Sequence, residues 1–202
     1  MLESYRTLTG EHRLEIEKIK GSRFLGIVAP ARDEEAAQAL LAAARKQYHD
    51  ARHHCSAWRF GLDGKRFRYS DDGEPSGSAG KPILAMIDGR ELVDVAVVVV
   101  RWFGGTKLGV GGLVRAYGAA AAETLDAAPI ETVTLKRRFR FVHDYELSGP
   151  VQGMLAEFAF APQEAEYGAD VRFVLEIPLR TCDAVLAAFT ERTAGRGQVE
   201  EL

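Results

Sequence analysis

Three stretches of this 202-residue chain hold residue types that could do chemistry. The first is Asp71-Asp72-Gly73-Glu74-Pro75-Ser76-Gly77-Ser78-Ala79-Gly80-Lys81-Pro82. It sets three carboxylates, two hydroxyls and Lys81 among turn-forming positions, just ahead of a predicted helix. Hydroxyls and free N–H groups at a helix start can hold an anion. The carboxylates could hold a hard cation or move protons. The competing reading is a rigid surface turn in which Ser76 or Ser78 caps the helix.

The second stretch is Arg101-Trp102-Phe103-Gly104-Gly105-Thr106-Lys107-Leu108-Gly109-Val110-Gly111-Gly112-Leu113-Val114-Arg115. Its five glycines allow a close backbone approach, and the helix that follows starts with unpaired N–H groups. Arg101, Lys107 and Arg115 add positive charge. This composition suits a phosphate group of a nucleotide or a nucleic-acid backbone. It is not a Walker loop, because the Gly-Lys-Ser/Thr ending is missing. Alternatively, the glycines serve turns and tight helix packing.

The third stretch is His53-His54-Cys55. On a strand, His53 and Cys55 share one face and His54 takes the other. A zinc site needs two further ligands, and His12, His49, His143 and Cys182 lack metal spacing. A cysteine nucleophile with a histidine base is a second option. A buried structural cysteine is the plainer one. No metal and no cofactor are expected.

The elements that must position these residues follow from periodicity. Residues 14–20 alternate apolar and charged, which reads as a half-buried strand. Phe24–Ala29 reads as a second strand. A helix capped by Asp33 follows to about Tyr48, with Ala36, Ala39, Leu40 and Ala43 on its inner face. His54–Phe60 and Lys65–Tyr69 form a hairpin around Asp63-Gly64. A short helix runs from about Gly80 to Ile87. Val93–Val100 is a central strand covered on both faces. Leu113–Ala127 is a helix with Leu113, Ala116, Tyr117, Ala120 and Leu125 turned to the core. Ala127-Ala128-Pro129 is the expected domain boundary, giving domains 1–128 and 129–202. Beyond it, strand 131–142, helix 147–160, strands 163–167 and 171–177, helix 181–193 and strand 197–201 give the ferredoxin-like order βαββαβ. In strand 131–142, Lys136, Arg138 and Arg140 form a basic row that could meet RNA, or simply a solvated face.

Composition limits the possibilities. Hydrophobic residues are 47% and charged residues 27%, ordinary for a globular chain. The most apolar run, Val95–Val100, is far too short for a bilayer, so no membrane partner is expected. The first twenty residues have no apolar block and read as no signal peptide. Two cysteines make no disulfide framework, so the expected location is cytoplasmic. Net charge is −3. Residues 1–128 hold 18 basic and 17 acidic residues, net +1, and residues 129–202 hold 8 and 12, net −4. A nucleic-acid surface would have to be a local patch.

Four segments, in order, resemble the IMPACT family, and within it the bacterial YigZ-like members. They are Ser22-Arg23-Phe24, then His54-Cys55-Ser56-Ala57, then Asp71 through Leu84, and Val98 through Gly109 with Leu113-Val114-Arg115-Ala116-Tyr117. Together they span residues 20–125. Ser78 stands where Thr is usual, and Val110 stands where Thr is common. The resemblance implies an α+β chain. Its N-terminal domain would be like the second domain of a ribosomal small-subunit protein, with a left-handed βαβ unit. Its C-terminal ferredoxin-like domain would resemble the last domain of elongation factor G. Eukaryotic members restrain translational control, so the resemblance implies translation regulation or RNA binding and implies no enzymatic activity. The leading reading is therefore a non-enzymatic regulator that binds RNA, the ribosome or a translation factor. The binding residues would be Asp71, Asp72, Glu74, Ser76, Ser78, Lys81, Arg101, Gly104, Gly105, Thr106, Lys107, Gly111, Gly112, Arg115 and His54. The alternative is a nucleotide- or phosphate-ligand-binding enzyme built on the same two loops. A third reading is a protein-interaction module.

Overall fold

A computed structural model describes residues 3–202. Two compact units divide the chain. One is Tyr5–Val133, and the other is Thr134–Leu202 together with Glu3 and Ser4.

The first unit is organised around β6 (Val95–Trp102), whose Val95 to Val100 are all buried. Alternate side chains of a strand point to opposite faces. Val95, Val97 and Val99 therefore join one core, and Ala96, Val98 and Val100 join another. Burying a valine fully is worth about 1.5–3 kcal/mol, and doing so on both faces fixes this strand at the sheet centre. β2 (His12–Glu15), β3 (Arg23–Pro30), β4 (His53–Phe60) and β5 (Arg66–Ser70) complete a sheet of order β2-β3-β6-β4-β5. Every pairing is antiparallel, so β3 and β4 run parallel with β6 between them. A two-stranded sheet pairs β1 (Ser4–Leu8) with β7 (Ile130–Thr134).

One face is covered by α1 (Glu34–Gln47), which joins β3 to β4. The Asp33 carboxylate caps it by accepting from Ala36 N at 2.8 Å. Its inner stripe is Ala37, Leu40, Leu41 and Ala44. Ala36, Ala39 and Ala43, expected inside, are exposed. The difference has a simple cause: the expected stripe would leave Leu41 in water, and a one-residue rotation buries both leucines. The other face carries α2 (Gly80–Asp88) and α3 (Val110–Ala127). All five core positions expected on α3 are buried.

The alternating run at 14–20 does not stay in a strand. The ladder ends at Glu15, and Ile19 pairs with Ser22 across a tight turn at Lys20 and Gly21. The single strand expected over 131–142 is two, β7 and β8 (Lys136–Asp144).

In the second unit, α4 (Ser148–Glu157), β9 (Gln163–Tyr167), β10 (Asp170–Pro178), α5 (Cys182–Arg192) and β11 (Gln198–Glu201) follow β8. The antiparallel order β11-β8-β10-β9 is the ferredoxin-like arrangement of βαββαβ. Its core centres on Phe141, stacked on Phe173 at 5.2 Å and edge-on to Phe189 at 4.8 Å. The basic row is spent on carboxylates. Lys136 pairs with Glu176, Arg138 with Glu164 and Arg140 with Glu200. Neighbouring Arg137 pairs with Glu201. These exposed pairs stabilise little, but they leave no free cationic stripe. The chain is α+β, and no described helix is long and apolar enough to cross a membrane.

Candidate functional site

The two loops singled out by composition converge beside the ends of β4 and β6. The Asp71 carboxylate is the hub of the first loop. Its Oδ1 accepts from Ala79 N at 2.9 Å and Gly80 N at 2.8 Å, and its Oδ2 accepts from Gly77 N at 2.8 Å. These amides open α2, so Asp71 does what a helix cap does, from eight residues upstream. Neither serine takes that role: the residue preceding α2 is Ala79, and no side chain caps it there. Ser78 is buried, and its hydroxyl has no partner among the described residues. Burial disfavours the Asp71 charge, and the three amide donors together outweigh it, holding the carboxyl below its ordinary value.

Asp72 and Gly73 have left-handed backbone (φ 43° and 84°), which turns the loop back onto β4. Asp72 Oδ2 accepts from His54 N at 2.6 Å, and its Oδ1 accepts from Arg45 at 2.7 Å. The Asp72 carbonyl accepts from His53 Nδ1 at 2.8 Å. A carbonyl can only accept, so the Nδ1 of His53 carries a proton and Nε2 faces Glu74, 3.9 Å away.

Glu74 lies under the second loop. Its Oε1 accepts from Arg101 Nη1 at 2.5 Å and from the Tyr117 hydroxyl at 2.7 Å. The Ser22 hydroxyl accepts from Arg101 Nη2 at 3.4 Å and from Gly104 N at 3.2 Å. The backbone of Gly104 presses on Gly21 so closely that a β-carbon on Gly104 would fall 1.9 Å from Gly21 C. Burial pushes the Tyr117 hydroxyl far above its ordinary pKa, so it stays a donor to Glu74.

Two adjoining recesses open above this network. One, of about 360 Å³, is lined by Glu74, Pro75, Arg101, Phe103, Leu108 and Leu113 among others. The second, of about 270 Å³, is lined by Arg52, His53, Gly73, Arg101, Phe103 and Lys107. Lys107 borders both.

The expected site residues therefore separate into groups. Glu74, Arg101 and Lys107 come together at the recesses. Asp71 and Asp72 stand behind them as loop scaffold. Ser76, Lys81, Gly105, Thr106, Gly111 and Arg115 are exposed, and Gly112 is half-buried. None of these seven lines either recess. Gly104 contributes backbone packing. His54 lies on the opposite face of β4, buried toward α1, with Nε2 donating to Tyr48 O at 3.1 Å. Burial lowers its pKa, so it is a neutral structural group.

Cys55 is enclosed, its Sγ donating to the Asp71 carbonyl at 3.1 Å, and burial pushes its thiol well up. A thiolate nucleophile is not poised there. No group of three metal-ligating side chains occurs among the described residues. The sequence reading missed Arg52, Phe103, Tyr117 and Ser22 as site groups. The alternation of β4 could have favoured His53 over His54, since Cys55 and Ala57 share its face.

Residues 20–125 match the Impact N-terminal domain, and residues 142–196 match a domain of unknown function, DUF1949. The chain is 37% identical over 203 residues to IMPACT family member YvyE of Bacillus subtilis (strain 168), spanning 100% of this chain and 92% of the relative. It is 35% identical over 191 residues to IMPACT family member YigZ of Escherichia coli (strain K12), spanning 93% and 92%. A solved structure described as a hypothetical protein superposes with TM-score 0.69 at 31% identity, over 100% of this chain and 98% of that one. The loops that meet at the Glu74–Arg101 pair lie within the first matched region, and the relatives extend across both units: the chain belongs to the IMPACT family.

Proposed function

We propose that the protein is a non-enzymatic regulator in translation control, and that its first unit binds RNA, free or in the ribosome, through phosphate groups. One observation carries this reading: the loop carboxylates are committed while nearby cations are free. Asp71 holds three amides, Asp72 holds Arg45 and the His54 amide, and Glu74 holds Arg101 and Tyr117. None is left as a general base. Arg52, Lys107 and Arg115 have no carboxylate partner among the described residues, a pattern suited to anion recognition. Arg115 does not pair with Asp72 or Glu74, whose partners are Arg45 and Arg101.

The test is RNA affinity across a salt series, with melting temperature measured on the same samples. A Lys107→Ala, Arg115→Ala double variant should melt as the parent does. Its salt slope should be flatter by about one for each phosphate that is no longer neutralised. Unchanged RNA binding would defeat the reading.

A second reading, a nucleotide- or phosphate-ligand-binding enzyme, is favoured by the concavity itself. Recesses of about 360 and 270 Å³ are near the lower end of the usual range for small-ligand sites. Turnover of a phosphorylated ligand would decide for it.

A further inference from the structure

We propose that the paired recesses bind a nucleotide carrying a terminal phosphate, with the phosphate in the cationic recess and the base in its apolar neighbour. For RNA as the source, the inference rests on the reading above; for a free nucleotide it does not. The cationic recess presents Arg52, His53, Arg101 and Lys107 around the Gly73 backbone. The charge of Arg101 is already matched by Glu74. Arg52 and Lys107 remain, so the recess offers about two uncompensated positive charges. A phosphomonoester carries close to two negative charges near neutral pH. An internal phosphodiester carries one. The match is therefore to a chain end or a free nucleotide rather than to a stretch of backbone.

Arg101 supplies an independent observation. It is 5% exposed, it borders both recesses, and its Nε is buried with no partner among the described residues. A buried donor without an acceptor is costly, so an unsatisfied guanidinium stands in the wall that the two recesses share. The neighbouring recess has the complementary character. Pro75, Phe103, Leu108, Val110 and Leu113 give it an apolar lining. Phe103 borders both recesses and is 46% exposed, which leaves its ring open to a stacking base.

The experiment uses the full chain and two short single-stranded RNAs of one sequence, one with a 5′-phosphate and one with a 5′-hydroxyl. A nucleoside 5′-monophosphate, the matching nucleoside and inorganic phosphate are titrated alongside. The 5′-phosphorylated RNA should bind about tenfold tighter than its hydroxyl twin, the difference expected when charge-assisted hydrogen bonds to the phosphate are removed. Arg52→Ala and Lys107→Ala, both at exposed positions, should each erase that preference. Phe103→Ala should weaken the monophosphate and leave inorganic phosphate unchanged.

Monophosphate binding as tight as the phosphorylated RNA identifies a free nucleotide as the ligand; tighter binding of the RNA identifies its end. Phosphate-dependent binding of the nucleotide with no RNA binding at all keeps the pocket and removes the RNA reading. Equal affinity for the two RNAs, with no phosphate-dependent nucleotide binding, overturns the pocket and leaves RNA binding standing.

Discussion

Arg101 Nη1 donates to Glu74 Oε1 across 2.5 Å, and the two side chains are only 6% and 4% exposed. This pair ties the end of the central strand to the loop that precedes α2. A buried pair gains little over an apolar substitute, but breaking one leaves a charge stranded. Glu74→Ala should therefore cost about 3–5 kcal/mol in a denaturant titration. Tyr117→Phe removes one neutral donor from the same charged oxygen and should cost less, about 1.5–3 kcal/mol. Equal destabilisation by the two variants would mean that the charge of the pair is not what holds the loop.

Asp71 should impose a pH signature. Its pKa is lowered on folding, so its contribution is complete above the unfolded carboxyl value of about 3.9 and is lost as pH falls through the folded value. Asp71→Ala should cost about 1–2 kcal/mol at neutral pH, the usual range for removal of a cap. Melting curves of parent and variant should draw together below about pH 4. A gap of constant size across that window would show that the carboxylate form is not what matters.

Cys55 and Cys182 are both buried, and burial raises both thiols. A thiol-specific reagent should label neither in the native protein and both in denaturant. Fast native labelling of Cys55 would reveal that the Asp71 loop opens.

Two glycines should respond in opposite directions to alanine. On Gly104 a methyl group meets the Gly21 backbone, which cannot swing aside as a side chain would. The expected destabilisation is on the order of 2–4 kcal/mol. On Gly118, inside α3, nothing lies within 4 Å of the added carbon. There the change should gain about 0.5–1 kcal/mol of helix propensity. Midpoints moving the same way in both variants would contradict these placements.

The elements readable from sequence were those with strong periodicity or strong punctuation. β6 declared itself through an unbroken apolar run, α3 through its spaced core residues, and the β4–β5 hairpin through Asp63-Gly64. β1 carries Tyr5, Arg6 and Thr7 with no clean alternation, and the segments that hold it, β7 and the bridge at Leu92, lie far along the chain. The rotation of α1 was ambiguous because its alanines fit either stripe and only Leu41 decides.

At the site, composition located both loops, but partners across the chain determined what each residue does. Asp71 and Glu74 look alike in sequence. One accepts three amides from its own loop, and the other reaches strand and helix residues 27 and 43 positions away. Local spacing carries no sign of the second kind of interaction.

The outer strands of the two larger sheets have a consequence for how copies of this chain meet. β2, β5, β9 and β11 are four or five residues long, whereas the inner strands run to eight or nine. The pairing of β9 is further broken by a register shift opposite Arg172 and Val174. An open rim offers unpaired amides and carbonyls to any passing strand, and a short or kinked rim offers few in line. Another molecule docking there would gain only a handful of ladder bonds, too little to seed a growing stack. Both units thus keep their longest and most apolar strands out of reach, which guards a crowded solution of the folded protein against cross-molecular sheet growth.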